Sequence, residues 1–415
     1  MTARQTISVR GAAILVAFTM SAAGLCSAAA SEPNGSAMTV VWTFARDGGA
    51  EGTWLESRDS NGVRHVLTSI PSARTQRGDA QATISPDGTK VAFVREGRAG
   101  GHVLYVVNSD GSDLHVVAGP GQVGRGIDQV MWAPGGDALL FGREAALDLS
   151  GGRWGCNRHP AQLEMYVVSA DGTGLRQLRP PGISPSSEHP ENLWLQGWSP
   201  DGQRILYAVV RWNDGECVNW GAHGDSAAVY TVGRDGSQPA ELLRANVPFF
   251  NVFSPSGDLL ARSSLDAECN LAVRGATATG TRVFKTHSIY GCNDGGGLSF
   301  GWLPSGDGVV FSDGLHIGVL NIHTGATRTV RRRRPLPTDC RARNNAGVCE
   351  EEVAAISPDG ADAAVIEDPS GSQGGPRLLR VALATGAATP ISVPAASSEP
   401  TRPPRYVVDV EVVFH

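Results

Sequence analysis

The sequence predicts an all-β chain folded as a β-propeller of seven four-stranded blades. Two repeats and one complementarity between the chain ends predict it. The first repeat is an apolar residue, a Pro-x-Gly turn and a second strand. It reads "ISPDGTKVAFV" from Ile84, "WAPGGDALLFG" from Trp132, "WSPDGQRILYA" from Trp198, "FSPSGDLLARS" from Phe253, "WLPSGDGVVFS" from Trp302 and "ISPDGADAAVI" from Ile356. The copies recur about every fifty to sixty-five residues, the length of a blade carrying some long loops.

The second repeat follows the first within each unit. It is an apolar strand, a Gly turn and another strand, as in "HVLYVVNSDGSDLHVV" (102–117), "LEMYVVSADGTGLRQL" (163–178), "AAVYTVGRDGSQPAELL" (227–243), "LHIGVLNIHTGATRTV" (315–330) and "LLRVALATGAATPI" (378–391). One unit is therefore four antiparallel strands joined by two tight hairpins. In the first hairpin Pro presets φ, Asp bonds back to nearby backbone N–H groups, and Gly takes the positive φ. Asp87 is thus expected to serve its own turn. The residue ahead of each turn ends the innermost strand, so Trp132, Trp198 and Trp302 are expected in the packing between blades.

The chain ends supply the third observation. "MTVVWTFARD" (38–47), "GTWLESRDS" (52–60) and "VRHVLTS" (63–69) look like the second, third and fourth strands of a blade that lacks its first. "RYVVDVEVVF" (405–414) is one strand with nothing after it. Together they complete a seventh blade, and closure removes the exposed sheet edges of an open ring. Six blades with a terminal hairpin are the alternative.

The Pro-Asp-Gly unit with its following "VAF" or "ILY" strand resembles the repeats of TolB-type propellers, a WD-like group also seen in the propellers of prolyl oligopeptidases. The resemblance covers roughly residues 38–415. It implies the fold and leaves function to the site. TolB carries an α/β domain before its propeller, and no such domain is expected ahead of residue 38 here, so the TolB partner-binding role is not simply carried over.

Residues 1–30 read as a signal peptide, with Arg4 and Arg10 ahead of the apolar run "GAAILVAFTM" and small residues up to Ala30. Residues 31–37 form a short linker and 38–415 the propeller. Leu25 before Cys26 argues against a lipoprotein, so export to the periplasm or beyond is expected, with no transmembrane segment. The formal net charge of −6, with lysine confined to Lys90 and Lys285, argues against a nucleic-acid or anionic-membrane surface. The run "RRRR" (331–334) is expected to be a solvated loop. A monomer is expected, with no cofactor.

Six cysteines remain after residue 30, an even number suited to an oxidising compartment. Neighbourhood along the chain favours Cys156–Cys217, Cys269–Cys292 and Cys340–Cys349. None has a C-x-x-C spacing, so neither a zinc site nor a redox motif is expected.

Strand order assigns the connections to faces. Both tight hairpins of a blade lie on one face. The middle connection and the link to the next blade lie on the other, which receives the long segments 144–162, 179–192, 211–226, 285–297 and 331–352. All six cysteines fall in or beside that second group. The same segments hold Trp154, His159, His189, Trp212, Trp220, His223, Asp225, His287 and Asp294. Aromatics beside His and carboxylates suit a glycan, peptide or metal ligand, but no two of these His share a metal-ligand spacing. "GLSFG" (297–301) matches a hydrolase nucleophile string, yet it runs straight into "WLPSGDG" and places Ser299 on an innermost strand. "NSDGSD" (108–113) and "RDSNG" (58–62) lack EF-hand spacing and read as hairpins. The leading expectation is an exported, non-catalytic propeller that binds a protein, peptide or glycan on its loop-rich face. A propeller enzyme, such as a polysaccharide lyase or glycosidase, and a structural envelope component are the alternatives.

Overall fold

A computed structural model describes residues 37–45, 53–59, 61–69, 76–97, 101–124, 126–144, 163–179, 191–211, 226–245, 249–264, 271–275, 281–284, 299–312, 316–332, 351–367, 377–391 and 406–415. The N-terminal strands are β1 (Met38–Ala45), β2 (Trp54–Arg58) and β3 (Arg64–Val66). Blade two is β4 (Gln76–Ile84), β5 (Lys90–Gly97), β6 (His102–Asn108) and β7 (His115–Ala118), followed by the single-turn helix α1 (Pro120–Val123). Blade three is β8 (Ile127–Trp132), β9 (Ala138–Glu144), β10 (Leu163–Ser169) and β11 (Arg176–Leu178). Blade four is β12 (Glu191–Trp198), β13 (Arg204–Arg211), β14 (Ser226–Gly233) and β15 (Ala240–Ala245). Blade five is β16 (Phe249–Phe253), β17 (Leu259–Ser264), β18 (Leu271–Gly275) and β19 (Thr281–Phe284). Blade six is β20 (Ser299–Trp302), β21 (Gly308–Ser312), β22 (His316–Asn321) and β23 (Thr327–Arg332). Blade seven is β24 (Glu351–Ile356), β25 (Asp362–Glu367), β26 (Arg377–Ala382) and β27 (Ala388–Ile391).

The last strand, β28 (Tyr406–Phe414), pairs antiparallel with β1 from Met38↔Phe414 to Ala45↔Tyr406. It becomes the first strand of blade one, in the order β28-β1-β2-β3. The ring has seven blades and closes through both chain ends, as the terminal strands predict. His415 fixes the join. Its backbone N–H donates to the Ala37 carbonyl at 2.9 Å, and its Nε2 is 3.0 Å from the Thr39 hydroxyl.

The turn-bearing face is built by repetition. Ser85 donates its hydroxyl to Asp87 Oδ1 at 2.6 Å, Asp87 accepts the Thr89 N–H at 3.1 Å, and Gly88 takes φ 71°. Ser199 with Asp201 and Ser357 with Asp359 repeat the arrangement. Asp87 is therefore a turn residue. Burial alone would raise its pKa, but the hydrogen bonds from Ser85 and Thr89 outweigh that and hold the carboxyl below its ordinary value. "NSDGSD" and "RDSNG" are likewise hairpins, in which Asp110 accepts the Ser112 N–H and Asp59 those of Asn61 and Val63.

The two hairpins of a blade touch. The second donates a backbone N–H to the first in Ser109→Thr89, Ala170→Asp137, Arg234→Gln203, Ile322→Asp307 and Leu383→Ala361. These bonds place both tight turns of five blades on one face. The second hairpin also lies over the outer strand of the preceding blade. A Cβ on Gly111 would stand 3.0 Å from the Val66 carbonyl, one on Gly172 3.1 Å from that of Val116, and one on Gly386 would collide with that of Val330.

Apolar clusters span adjacent blades. Ala92, Val94, Leu104 and Val106 of blade two pack with Trp132, Leu139, Phe141 and Tyr166 of blade three. Within blades, facing aromatics stack at directly opposed positions, as in Phe93–Tyr105, Phe141–Tyr166 and Tyr207–Tyr230 at 5.4 to 5.5 Å. Such cross-strand pairs add to burial. In blade six Phe311 instead faces Gly318, where a Cβ would fall 2.6 Å from the Phe311 ring.

Candidate functional site

The face opposite the hairpins is reached by the starts of the first strands, and those strands are linked around the ring. Trp132 Nε1–H donates to the Thr83 carbonyl of the preceding blade at 3.0 Å, and Trp302 Nε1–H to that of Val252 at 3.1 Å. Both rings are buried, as is Trp198, so the three tryptophans hold blades together. Gln129 Oε1 accepts the Leu195 N–H at 2.7 Å, and Asn251 Nδ2 donates to Gln196 Oε1 at 2.9 Å. Ser299 lies on the first strand of blade six, as its run into "WLPSGDG" predicts, and its Oγ accepts the Val353 N–H of the next blade at 2.9 Å.

Gln129 and Gln196 occupy irregular positions, whereas Asn251 is in regular register. Bulges interrupt β4 between Ala80 and Thr83, β8 between Asp128 and Met131, β12 between Leu195 and Gly197, and β24 between Val353 and Ala355. Gln81 and Gln129 take φ of 52° and 54° there, unusual for residues with a Cβ. A bulge turns a side chain out of the pleat, and here Gln129 reaches a neighbouring strand. The sequence signal was available: Gln81, Gln129, Gln196 and Asn251 stand two or three residues before the apolar turn leader in four consecutive blades.

Ion pairs mark the rim. Arg95 grips the buried Asp79 through Nε–Oδ1 at 2.6 Å and Nη2–Oδ2 at 2.9 Å, and lies over the Tyr105 ring at 4.9 Å. Arg143 Nε is 3.2 Å from Glu164 Oε2. Blade seven differs. Glu351, Glu367 and Arg377 occupy directly opposed positions on β24, β25 and β26. Arg331 of blade six reaches Glu351 Oε1 at 3.2 Å and Glu367 Oε1 at 3.1 Å. The expectation of a solvated "RRRR" loop is corrected for its first half: Arg331 and Arg332 end a strand, Arg332 is exposed, and Arg331 is held by two carboxyls because its strand packs against the next blade. Arg333 and Arg334 lie outside the described residues. Among the described residues, no group of three or more His, Cys, Asp or Glu could hold a metal ion.

The sequence-predicted ligand residues lie outside the described residues. This applies to Trp154 and His159, His189, Trp212, Trp220, His223 and Asp225, and His287 and Asp294. It applies equally to Cys156, Cys217, Cys269, Cys292, Cys340 and Cys349, and to the signal peptide. The strand ends bordering these segments, including Leu163, Glu191, Arg211, Ser226, Phe284 and Ser299, all lie away from the hairpins.

No protein-family model and no curated protein matches the chain. Solved structures do. A prolyl endopeptidase structure aligns at TM-score 0.57 and 14% identity, covering 87% of this chain and 51% of that one. This chain thus spans about half the length of that protein. An oligogalacturonate lyase in complex with manganese aligns at TM-score 0.53 and 15% identity, with 87% of each chain covered. TolB from Acinetobacter baumannii is also similar, more weakly, at TM-score 0.41 and 12% identity over 85% of this chain and 64% of that one. The first two likenesses agree with the fold that the strand topology gives. At such identities they show fold and nothing further. Among the described residues, no helix is long and apolar enough to cross a membrane.

Proposed function

We propose that the protein is an exported propeller that binds a protein, peptide or glycan on the face opposite its hairpins, without catalysing a reaction. The observation that carries this reading is the asymmetry of the two faces. Hairpins of recurring form, bonded to one another in five blades, build one face, and their Asp, Ser and Gly residues are occupied in shaping turns. The residues suited to a ligand, Trp154, Trp212, Trp220, His159 and His223 among them, all belong to connections that leave from the other face. Disulfides Cys156–Cys217, Cys269–Cys292 and Cys340–Cys349 would fix those connections, each contributing about 2–4 kcal/mol.

The rival reading is a propeller enzyme such as a polysaccharide lyase or glycosidase. The similar extent of this chain and the oligogalacturonate lyase, 87% of each, is what favours it. A screen of the exported protein against arrays of glycans and peptides, read for both binding and product, separates the two. Saturable binding without turnover is expected. Product formation that disappears in His159→Ala or His223→Ala would replace the binding reading with the enzymatic one.

A further inference from the structure

The row of charges in blade seven has a composition that simple pairing does not explain. Like charges at directly opposed positions of a sheet repel, yet Glu351 and Glu367 are such a pair. The Glu351 side chain is fully buried and that of Glu367 is 10% exposed. Their shared cation is Arg331, which has one Nε–Oε1 contact to Glu351 and one Nη2–Oε1 contact to Glu367. Arg377 adds a 2.9 Å contact to Glu367 Oε2, but it is 65% exposed, so water screens most of its charge. The buried part therefore holds two carboxyls and one guanidinium. Glu351 Oε2 is buried and no donor among the described residues reaches it. A proton on that oxygen would supply the missing donor and neutralise the surplus charge.

The surroundings bring no other titrating group to this face among the described residues. His316 and Arg332 are opposed to each other, one position beyond the Ile317–Arg331 pair, and so project from the other side of blade six. Glu352 is on the other side of β24 for the same reason. β20 and β21 contribute Ser299 and Ser312, whose hydroxyls bind the Val353 N–H and the Glu351 carbonyl. Glu411 of β28 stands nearer the hairpin face, three residues before Phe414. The cluster also has a place in the chain. Arg331 lies one residue before the last of β23, Glu351 is the first residue of β24, and the segment 333–350 joins them.

We propose that Glu351 and Glu367 share one proton and form a pH-sensitive clasp at both roots of the connection between blades six and seven. With the proton on Glu351 Oε2, its O–H donates to Glu367 and Arg331 neutralises the remaining charge. As pH rises the proton passes to water, two buried carboxylates face each other, and the seam loosens. Burial is the main influence pushing the Glu351 pKa above its ordinary value. Arg331 pulls it down, and the neighbouring Glu367 carboxyl pushes it up again, leaving it raised. A raised folded-state pKa gives stability that is complete below the unfolded value and lost as pH rises through the folded one.

Hydrogen exchange of the β23 and β24 amides, corrected for intrinsic exchange, tests the clasp in the full chain. In the wild type, protection at Val353 is expected to fall about tenfold as pH rises from about 4 to 8, a span that takes in the ordinary carboxyl range and the region above it. Glu351→Gln, which keeps a neutral donor, should hold protection flat, while Glu352→Gln should keep the wild-type profile. Flat protection in the wild type, or an equal fall in Glu351→Gln, would overturn the proposal. Carboxyl titration of the wild type by carbon NMR needs no variant. One carboxyl titrating above the ordinary range supports the clasp, and none doing so overturns it.

Discussion

The two faces of this ring are made by different rules. On the hairpin face the same few side chains do the same job in blade after blade: Ser85 with Asp87, Ser199 with Asp201 and Ser357 with Asp359 shape one turn, and a second turn bonds to it. On the opposite rim no two of the described ion-pair arrangements match. Blade two buries Asp79 under Arg95, blade three half-buries an Arg143–Glu164 pair, and blade seven buries two carboxyls on one arginine. A repeated solution marks scaffold. Variation at equivalent positions marks the side free to acquire a function.

Breaking each face should separate them. The largest effect is expected for Gly386→Ala, about 3 kcal/mol of lost stability in chemical denaturation. Gly386 takes φ 74° and its Cβ would meet the Val330 carbonyl of the preceding blade, so backbone strain adds to a clash. Arg331→Met comes next. It deprives the buried Glu351 of its cation, at a cost of about 2 kcal/mol near neutral pH, reduced from the value for a fully buried pair because Arg331 is partly exposed. Protonation of Glu351 should shrink that cost in acid.

Asp87→Ala and Asp201→Ala should each cost about 1 kcal/mol by removing turn hydrogen bonds. If the hairpin face is a true repeat, the two values should agree, and a clear disparity would blur the contrast between the faces. The smallest effect is a pH dependence at the hairpin side. His115 Nδ1 is 2.8 Å from the Asp113 carbonyl and Nε2 is 3.0 Å from that of Ala170 in the next blade, an arrangement that only the doubly protonated ring satisfies. Burial lowers its pKa, but the bonds to Ala170 and Asp113 outweigh this and raise it. That stability is present below the unfolded value of about 6.5 and lost as pH rises through the higher folded one. A thermal midpoint difference between wild type and His115→Gln should therefore be greater in mild acid than above neutrality.

The scaffold was legible in the sequence because turns and strand alternation are local. Pro-Asp-Gly fixes a hairpin wherever it occurs, and a lone strand at 406–414 complements the three-strand fragment that begins at Met38, which favoured seven blades over six. The tryptophans were legible too, since a bulky apolar residue ending an inner strand has no other place to go. The inter-blade amides left a recurrent trace, Gln81, Gln129, Gln196 and Asn251 ahead of the turn leaders, but their partners were not legible. Gln129 reaches Leu195 across 66 residues of sequence, and a bulge in a strand has no fixed signature. Arg331 was misread because a run of four arginines looks solvated until a partner strand supplies Glu351 and Glu367. Trp212, His223 and their companions remain known by position in the chain, since no repeat fixes the connections that hold them.

The central claim is that ligand binding belongs to the face away from the hairpins. The most direct measurement is the affinity of the glycan or peptide selected by array screening, compared between two double variants of equal thermal stability. Trp212→Ala with Trp220→Ala alters the connections of the loop-bearing face, and Asp110→Ala with Asp171→Ala alters exposed hairpins. The account predicts that binding falls at least tenfold in the tryptophan variant and is unchanged in the hairpin variant. Binding retained in the first and lost in the second would contradict it.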